Sequence, residues 1–178
     1  MNDYKIIFSG PVGAGKTTAI NAISDIETVT TDELASDMTH SVKPGTTVAM
    51  DYGLLKLGAG ERIHLYGTPG QERFNFMWDI LTRGGIGLVL LLSNTRPDPF
   101  RDMHFFLDAF KPFIGETRVV IGVTQMDLAG KPTLDDYHLQ LENSGAKMPL
   151  FEVDARAKRD VSLLVEALLY SLDPGLDS

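Results

Sequence analysis

The 178-residue sequence contains no cysteine. Disulfides, thiolate metal sites, prenylation and palmitoylation are therefore excluded by chemistry alone. An excess of positive charge is also missing. Lys and Arg number 16 against 24 Asp and Glu, for a formal net charge of −8. That sign argues against a general nucleic-acid or anionic-membrane surface, while leaving room for a local basic patch. Long apolar runs are absent: the longest, Ile86 to Leu92, falls far short of the ~20 residues that span a bilayer. Position 2 is Asn rather than the Gly of a myristoylation signal. The chain enters a strand pattern with no basic-then-apolar leader ahead of it. These absences set the expectation of a cytoplasmic protein with no direct membrane anchor, any membrane contact coming through a partner.

What is present is ordinary globular composition, 43% apolar and 22% charged, enough for one domain with a real core. The pattern alternates strand and helix. Tyr4-Lys5-Ile6-Ile7-Phe8 reads as a buried strand, and Ala19, Ile20 and Ile23 as one face of a helix. Asp25 to Pro44 is polar and aperiodic, an irregular connection with room for a short strand. Thr46 to Leu57 and Glu61 to Tyr66 read as strands, and the short Gly58-Ala59-Gly60 loop makes them antiparallel. Further strands are expected at Ile86 to Leu92, Arg118 to Val123 and Pro149 to Val153, with helices over Met77 to Thr82 and Thr133 to Leu141. Phe106, Ala109, Phe110 and Phe113 form an apolar helical stripe; Val161, Leu164, Val165, Leu168 and Leu169 form another on a closing helix. Asp173 to Ser178 is expected to fray. The architecture predicted is α/β: a doubly wound, mainly parallel six-stranded sheet with one antiparallel edge strand and helices on both faces. There is no repeat, low-complexity tract or linker, so residues 1–178 are expected to be a single domain.

One stretch carries chemistry by itself. Gly10-Pro11-Val12-Gly13-Ala14-Gly15-Lys16-Thr17 fits G-x-x-x-x-G-K-[ST], between a strand and a helix. Glycines let the backbone curl until its N–H groups face a phosphate. Lys16 reaches the β- and γ-phosphates, and the Thr17 hydroxyl ligates Mg²⁺. The helix start, including Thr18, adds its positive dipole end. A nucleoside phosphate is the expected ligand.

In an open parallel sheet the ligand lies beyond the carboxyl ends of the strands. Four such segments are informative. Gly67-Thr68-Pro69-Gly70-Gln71-Glu72-Arg73-Phe74 follows the third expected strand, Thr124-Gln125-Met126-Asp127 the fifth, and Asp154-Ala155-Arg156 the last; Thr46-Thr47 opens the antiparallel strand. With the phosphate loop, these resemble the Ras-like small GTPases, and the Gly-Thr-Pro-Gly-Gln variant most resembles the bacterial MglA-like group. The resemblance implies a P-loop GTPase fold over nearly the whole chain, with GTP or GDP and Mg²⁺ as ligands. It implies that Gly70 donates its N–H to the γ-phosphate and that Gln71 orients the attacking water. Asp127 would accept from guanine N1–H and the N2 amine, donors that adenine lacks there. The Ala155 N–H would bond guanine O6, and the Arg156 stem would lie against the base. Thr47 would join Thr17 in the Mg²⁺ shell when a γ-phosphate is present. A roadblock-type (Lc7) dimer is the implied regulator, with roles in signalling, polarity or motility.

Blander uses compete with each assignment: Asp127 as a helix or turn cap, Pro69-Gly70 as a plain turn, Thr47 as a strand former. The chain also departs from the family pattern. Gly67 stands where an Asp normally supports Mg²⁺ through water, leaving Asp51 and Asp32 as substitutes without geometric support. Gln125 replaces the Lys that stacks on the base. Val12 would crowd the γ-phosphate and Gln71, which implies slow intrinsic hydrolysis. No Arg lies between Lys16 and Glu61, so Arg73 is the nearest arginine finger in cis. A P-loop small-molecule kinase and a non-hydrolysing nucleotide-dependent scaffold are the alternatives; the first lacks an Arg-rich lid, and Gln71 weighs against the second. His40, His104 and His138 show no metal spacing, and His64 reads as structural. Trp78 is either core or, with Phe74 and Phe76, a surface for effectors.

Overall fold

The computed structural model describes residues 2–30, 50–70 and 76–172, with backbone alone for Phe76 and Met77. In chain order the elements are β1 (Asp3–Ser9), α1 (Lys16–Ile23), β2 (Val29–Thr30), β3 (Asp51–Lys56), a 3-10 turn at Gly58–Gly60, β4 (Arg62–Gly67) and α2 (Phe76–Leu81). There follow β5 (Gly87–Ser93), α3 (Pro99–Ala109), α4 (Lys111–Glu116), β6 (Val119–Thr124), α5 (Leu134–Asn143), β7 (Leu150–Glu152) and α6 (Lys158–Leu172). The strands form one sheet in the order β2-β3-β4-β1-β5-β6-β7. β1, β4, β5, β6 and β7 run parallel, while β3 pairs antiparallel with both β4 and β2. The α/β class is as expected, with two corrections. The sheet has seven described strands, not six, and the antiparallel strand lies one in from the edge. Two residues in a polar stretch carry no alternation, so β2 leaves no periodic trace in the sequence.

Alternating strand residues feed two cores, one per face. Ile6, Phe8, Val89 and Leu91 pack with Ala19, Ile20 and Ile23 of α1 and Val161, Leu164, Val165 and Leu168 of α6. Ile7, Leu88, Leu90 and Leu92 face the other way, against Trp78, Met103, Phe106, Phe110, Tyr137 and Leu141. β5 is buried from end to end because both its faces are covered. Each such side chain contributes about 1.5–3 kcal/mol by leaving water.

The aromatic stripe of the sequence is two helices, broken at Phe110. Pro112 lacks the N–H needed to continue α3. Phe106 and Phe110 are buried and Phe113 packs against them, but Ala109 is exposed. Trp78 is core, only 3% exposed. It stacks on Phe106 and Phe110, with ring centroids 5.1 and 4.9 Å away. His64 is bonded to the Tyr52 hydroxyl at 2.7 Å, as a structural histidine should be. The expected strand over 46–49 and the tail at 173–178 lie outside the described residues. Among the described residues, no helix is long and apolar enough to cross a membrane.

Candidate functional site: a phosphate loop and an adjoining base pocket

The carboxyl ends of β1, β4, β6 and β7 converge on the loop between β1 and α1. Gly15 caps α1 with φ 97° and no side-chain cap. That conformation is in the left-handed region and suits glycine. A Cβ there would also lie 2.9 Å from the Cβ of Ala155. The first N–H groups of α1 are thus left to an external anion, which the helix dipole favours. Lys16 is buried, and its ammonium donates to the carbonyls of Gly10 at 2.7 Å and Pro11 at 2.8 Å. Burial pushes its pKa down to about 8, while nearby Asp51 pulls upward and Arg96 adds to the depression. Val12 lies on the open side of the loop, 54% exposed. The loop thus folds its own carbonyls around the Lys16 ammonium.

Thr17 donates its hydroxyl to Asp51 Oδ2 at 2.7 Å. Among the described residues no group of three or more His, Cys, Asp or Glu gathers to hold a metal. An ion here would rely on the Thr17 oxygen together with ligand phosphates, an all-oxygen donor set of the kind Mg²⁺ takes. The residues fit.

The segment after β4 is pinned onto the loop. Thr68 N–H donates to Phe8 O at 2.9 Å, and the Thr68 and Ser9 hydroxyls are 2.7 Å apart, all buried. The Trp78 indole donates to Pro69 O at 3.3 Å. A Cβ on Gly70 would lie 2.7 Å from both Lys16 Nζ and Val12 N. Only glycine lets the backbone approach the phosphate loop so closely.

Beside the loop a cavity of about 560 Å³ is lined by Ala14, Gly15, Thr18, Thr124, Asp127 and Ala155, among others. Its size suits a nucleoside. Thr124 Oγ1 donates to Ala14 O at 2.9 Å, joining the end of β6 to the phosphate loop. Asp127 is exposed at the rim. The helix that follows is capped by Thr133, in a reciprocal box with Asp136, so capping is not the job of Asp127. Gln125 adopts φ 60° and turns its amide oxygen toward Ser93 and Thr95, whose hydroxyls donate to it. Arg156 folds its guanidinium back onto Asp154, with two bonds of 2.9 Å, rather than extending along the cavity. Asp154 is thereby held below the usual carboxylate range.

Two further residues shape this end. Asn94 is buried and donates through Nδ2 to Ala129 O at 2.9 Å and Pro132 O at 3.0 Å. Tyr137 donates its hydroxyl to Asn94 Oδ1 at 2.7 Å, and burial drives the Tyr137 pKa upward. Together they staple the loop that carries Asp127. Nothing in the sequence marks Asn94 except its position just past a buried strand. Thr47, Gln71 and Arg73, and the substitute Asp32, lie outside the described residues.

A family model described as a conserved hypothetical ATP binding protein matches residues 25–171. An uncharacterized protein of Methanocaldococcus jannaschii is 35% identical over 91 residues, 51% of this chain and 51% of its own length. The match to that relative thus spans about half of each protein. Ras-related protein Rab-27A of Sus scrofa is 26% identical over 184 residues, covering 94% of this chain and 78% of its own. GTP-binding protein YPT1 of Saccharomyces cerevisiae is 26% identical over 156 residues, covering 85% and 70%. These relatives support a P-loop GTPase-like superfamily; they do not support the narrower bacterial MglA-like subgroup. The chain is a nucleotide-binding P-loop protein.

Proposed function

The chain belongs to the family of conserved hypothetical ATP-binding proteins, and from that premise we propose that its nucleotide is GTP and that it works as a GTP-hydrolysing switch. The observation that carries the base is Asp127, placed at the rim of the cavity beside Thr124 and Ala155 and not engaged as the cap of α5. A carboxylate there matches the N1–H and N2 amine of guanine. The Rab and Ypt relatives, one of them named GTP-binding, support the same base.

The reaction is in-line attack of water on the γ-phosphate, giving GDP and inorganic phosphate. Lys16 supplies positive charge to the β- and γ-phosphates, and the N–H groups at the start of α1 bind their oxygens. Gly70, which follows the anchored Thr68 and Pro69 and packs close to the phosphate loop, would donate its N–H to the γ-phosphate. Gln71, the next residue, orients the water. Thr17 and Thr47 would hold Mg²⁺, which when bound neutralises charge between the phosphates. Val12, exposed on the open side of the loop, would crowd a bound γ-phosphate and Gln71, so hydrolysis is slow until a protein regulator arrives, a roadblock-type dimer being the first candidate.

The family description favours a second reading, an ATP-binding protein built on the same phosphate loop. Titration of the protein with fluorescent GTP and ATP analogues separates the two. GTP should bind at least tenfold more tightly. Equal affinities, or a preference for ATP, would overturn the guanine assignment. Phosphate release by wild type and Gln71→Leu, with and without cell lysate, then separates a slow enzyme from a scaffold.

A further inference from the structure

Gly67 ends β4 where a side-chain carboxylate would be expected to support a metal, and its partner across the antiparallel β3–β4 pairing is Asp51. A Cβ built on Gly67 would lie 3.0 Å from Ile20 Cδ1, 3.2 Å from the Asp51 Cβ and 3.2 Å from its Oδ2. Asp51 and Ile20 together therefore occupy the space that a residue-67 side chain would need, and of the two only Asp51 brings a carboxylate there. We propose that Asp51 is the carboxylate that positions magnesium in this protein, delivered from β3 instead of β4. The inference rests on the nucleotide-switch reading above.

Three observations carry it. Asp51 is a buried acid, 7% exposed, in a position where an unpartnered carboxylate would be costly. Both its oxygens are aimed. Oδ2 accepts from Thr17 at 2.7 Å and Oδ1 from Thr30 at 2.6 Å. Thr17 is the hydroxyl that the phosphate-loop motif assigns to Mg²⁺. A hydroxyl whose oxygen lone pair faces a cation becomes a stronger donor, and Asp51 already accepts its proton. Such an outer carboxylate orients the ligand and raises its basicity.

The two-residue strand β2 gains a purpose from the same geometry. Thr30 pairs directly with Asp51 in the β2–β3 ladder and fixes the oxygen that Thr17 does not use. With both oxygens held, the carboxylate cannot swing away when the phosphate loop changes occupancy. Asp51 is a positioning residue, acting through Thr17 and the water shell of the ion, not a group that touches the reacting atoms.

The test uses the full chain loaded with a fluorescent GDP analogue. Nucleotide release is timed in excess Mg²⁺ and again in EDTA, for wild type, Asp51→Asn and the relocated pair Asp51→Gly/Gly67→Asp. Wild type should release nucleotide at least tenfold faster in EDTA. In Asp51→Asn that ratio should collapse toward one, because the loss of such a partner costs about 10–100-fold in metal affinity. Its release in EDTA should match wild type, which a merely structural role would not allow. The relocated pair should regain most of the Mg²⁺ effect. Mn²⁺ binding to the GDP-loaded proteins, followed by electron paramagnetic resonance, should fall and recover in the same order. A Mg²⁺ ratio in Asp51→Asn equal to wild type would overturn the proposal. So would a variant that weakens GDP equally with and without Mg²⁺. If Asp51→Asn fails to fold, the relocated pair decides alone: no Mg²⁺ effect in a folded relocated pair sinks the idea. Failure of wild type to bind guanine nucleotide at all would instead defeat the switch reading, and is distinguishable for that reason.

Discussion

The indole of Trp78 donates to the carbonyl of Pro69 at 3.3 Å while its ring lies stacked on Phe110, 4.9 Å between centroids. One side chain thus joins the aromatic core to the backbone beside Gly70, where an added Cβ would lie 2.7 Å from Lys16 Nζ. Because the sequence has a single tryptophan, its emission reports on this junction with no competing signal. Exchange of GDP for a non-hydrolysable GTP analogue should shift or quench the emission, since Gly70 would take up a bond to the γ-phosphate. Identical spectra in the two states would count against movement at this segment. Trp78→Phe keeps most of the stacking and loses the donor. It should lower stability by about 1 kcal/mol in urea unfolding and reduce the preference for GTP over GDP.

Lys16 gives the protein a pH dependence of definite sign. Its pKa stands near 8 without ligand, chiefly through burial, and a bound phosphate restores the charged form. Nucleotide binding should therefore take up a proton above about pH 8, and affinity should fall as pH rises beyond it. The unfolded lysine keeps its proton to about 10.4, so the ligand-free protein should gain stability from pH 8 toward 10. Calorimetry at pH 8.5 in two buffers of different ionisation enthalpy should reveal uptake of roughly half a proton or more, and none from this group at pH 6.5. No buffer dependence at pH 8.5 would refute the assignment.

Asn94 should matter for the base and not for the phosphates. Asn94→Ala removes two bonds to the loop carbonyls and strands the buried Tyr137 hydroxyl, at a cost of roughly 1–3 kcal/mol in stability. Affinity for GDP should drop several-fold, while affinity for pyrophosphate stays near wild type. Tyr137→Phe removes only one of the three bonds and should give a milder loss of the same kind. Equal losses for GDP and pyrophosphate would mean that the damage is general.

How much of this was legible in the sequence depended on the range of the interaction. The phosphate loop is a local device, and Gly10 through Thr17 announce it by spacing alone. Strands buried on both faces, such as β5, are legible because continuous apolar runs of that length have few other uses. The Thr17–Asp51 bond joins residues from different elements, and no spacing rule reaches that far; by sequence alone Asp51 and Asp32 are equivalent. Asn94 was silent for the same reason, its partners Ala129, Pro132 and Tyr137 being brought to it only by the β5–β6 pairing. Trp78 could be core or surface from its neighbours in sequence. Only packing against Phe106 and Phe110 decides it. The aromatic stripe misled at Ala109 because Pro112 breaks the helix before a single face can form.

The most direct test of the central claim lies at Asp127. Fluorescent analogues of GTP, ATP and XTP are titrated into wild type and Asp127→Asn. Wild type should prefer guanine, and the variant should exchange that preference for xanthine, whose N2-side carbonyl accepts from the new amide. Losing one of two charge-assisted bonds should weaken GTP by about 2–3 kcal/mol, or 30- to 150-fold. A wild type indifferent to the base, or a variant whose preference is unchanged, would contradict the account.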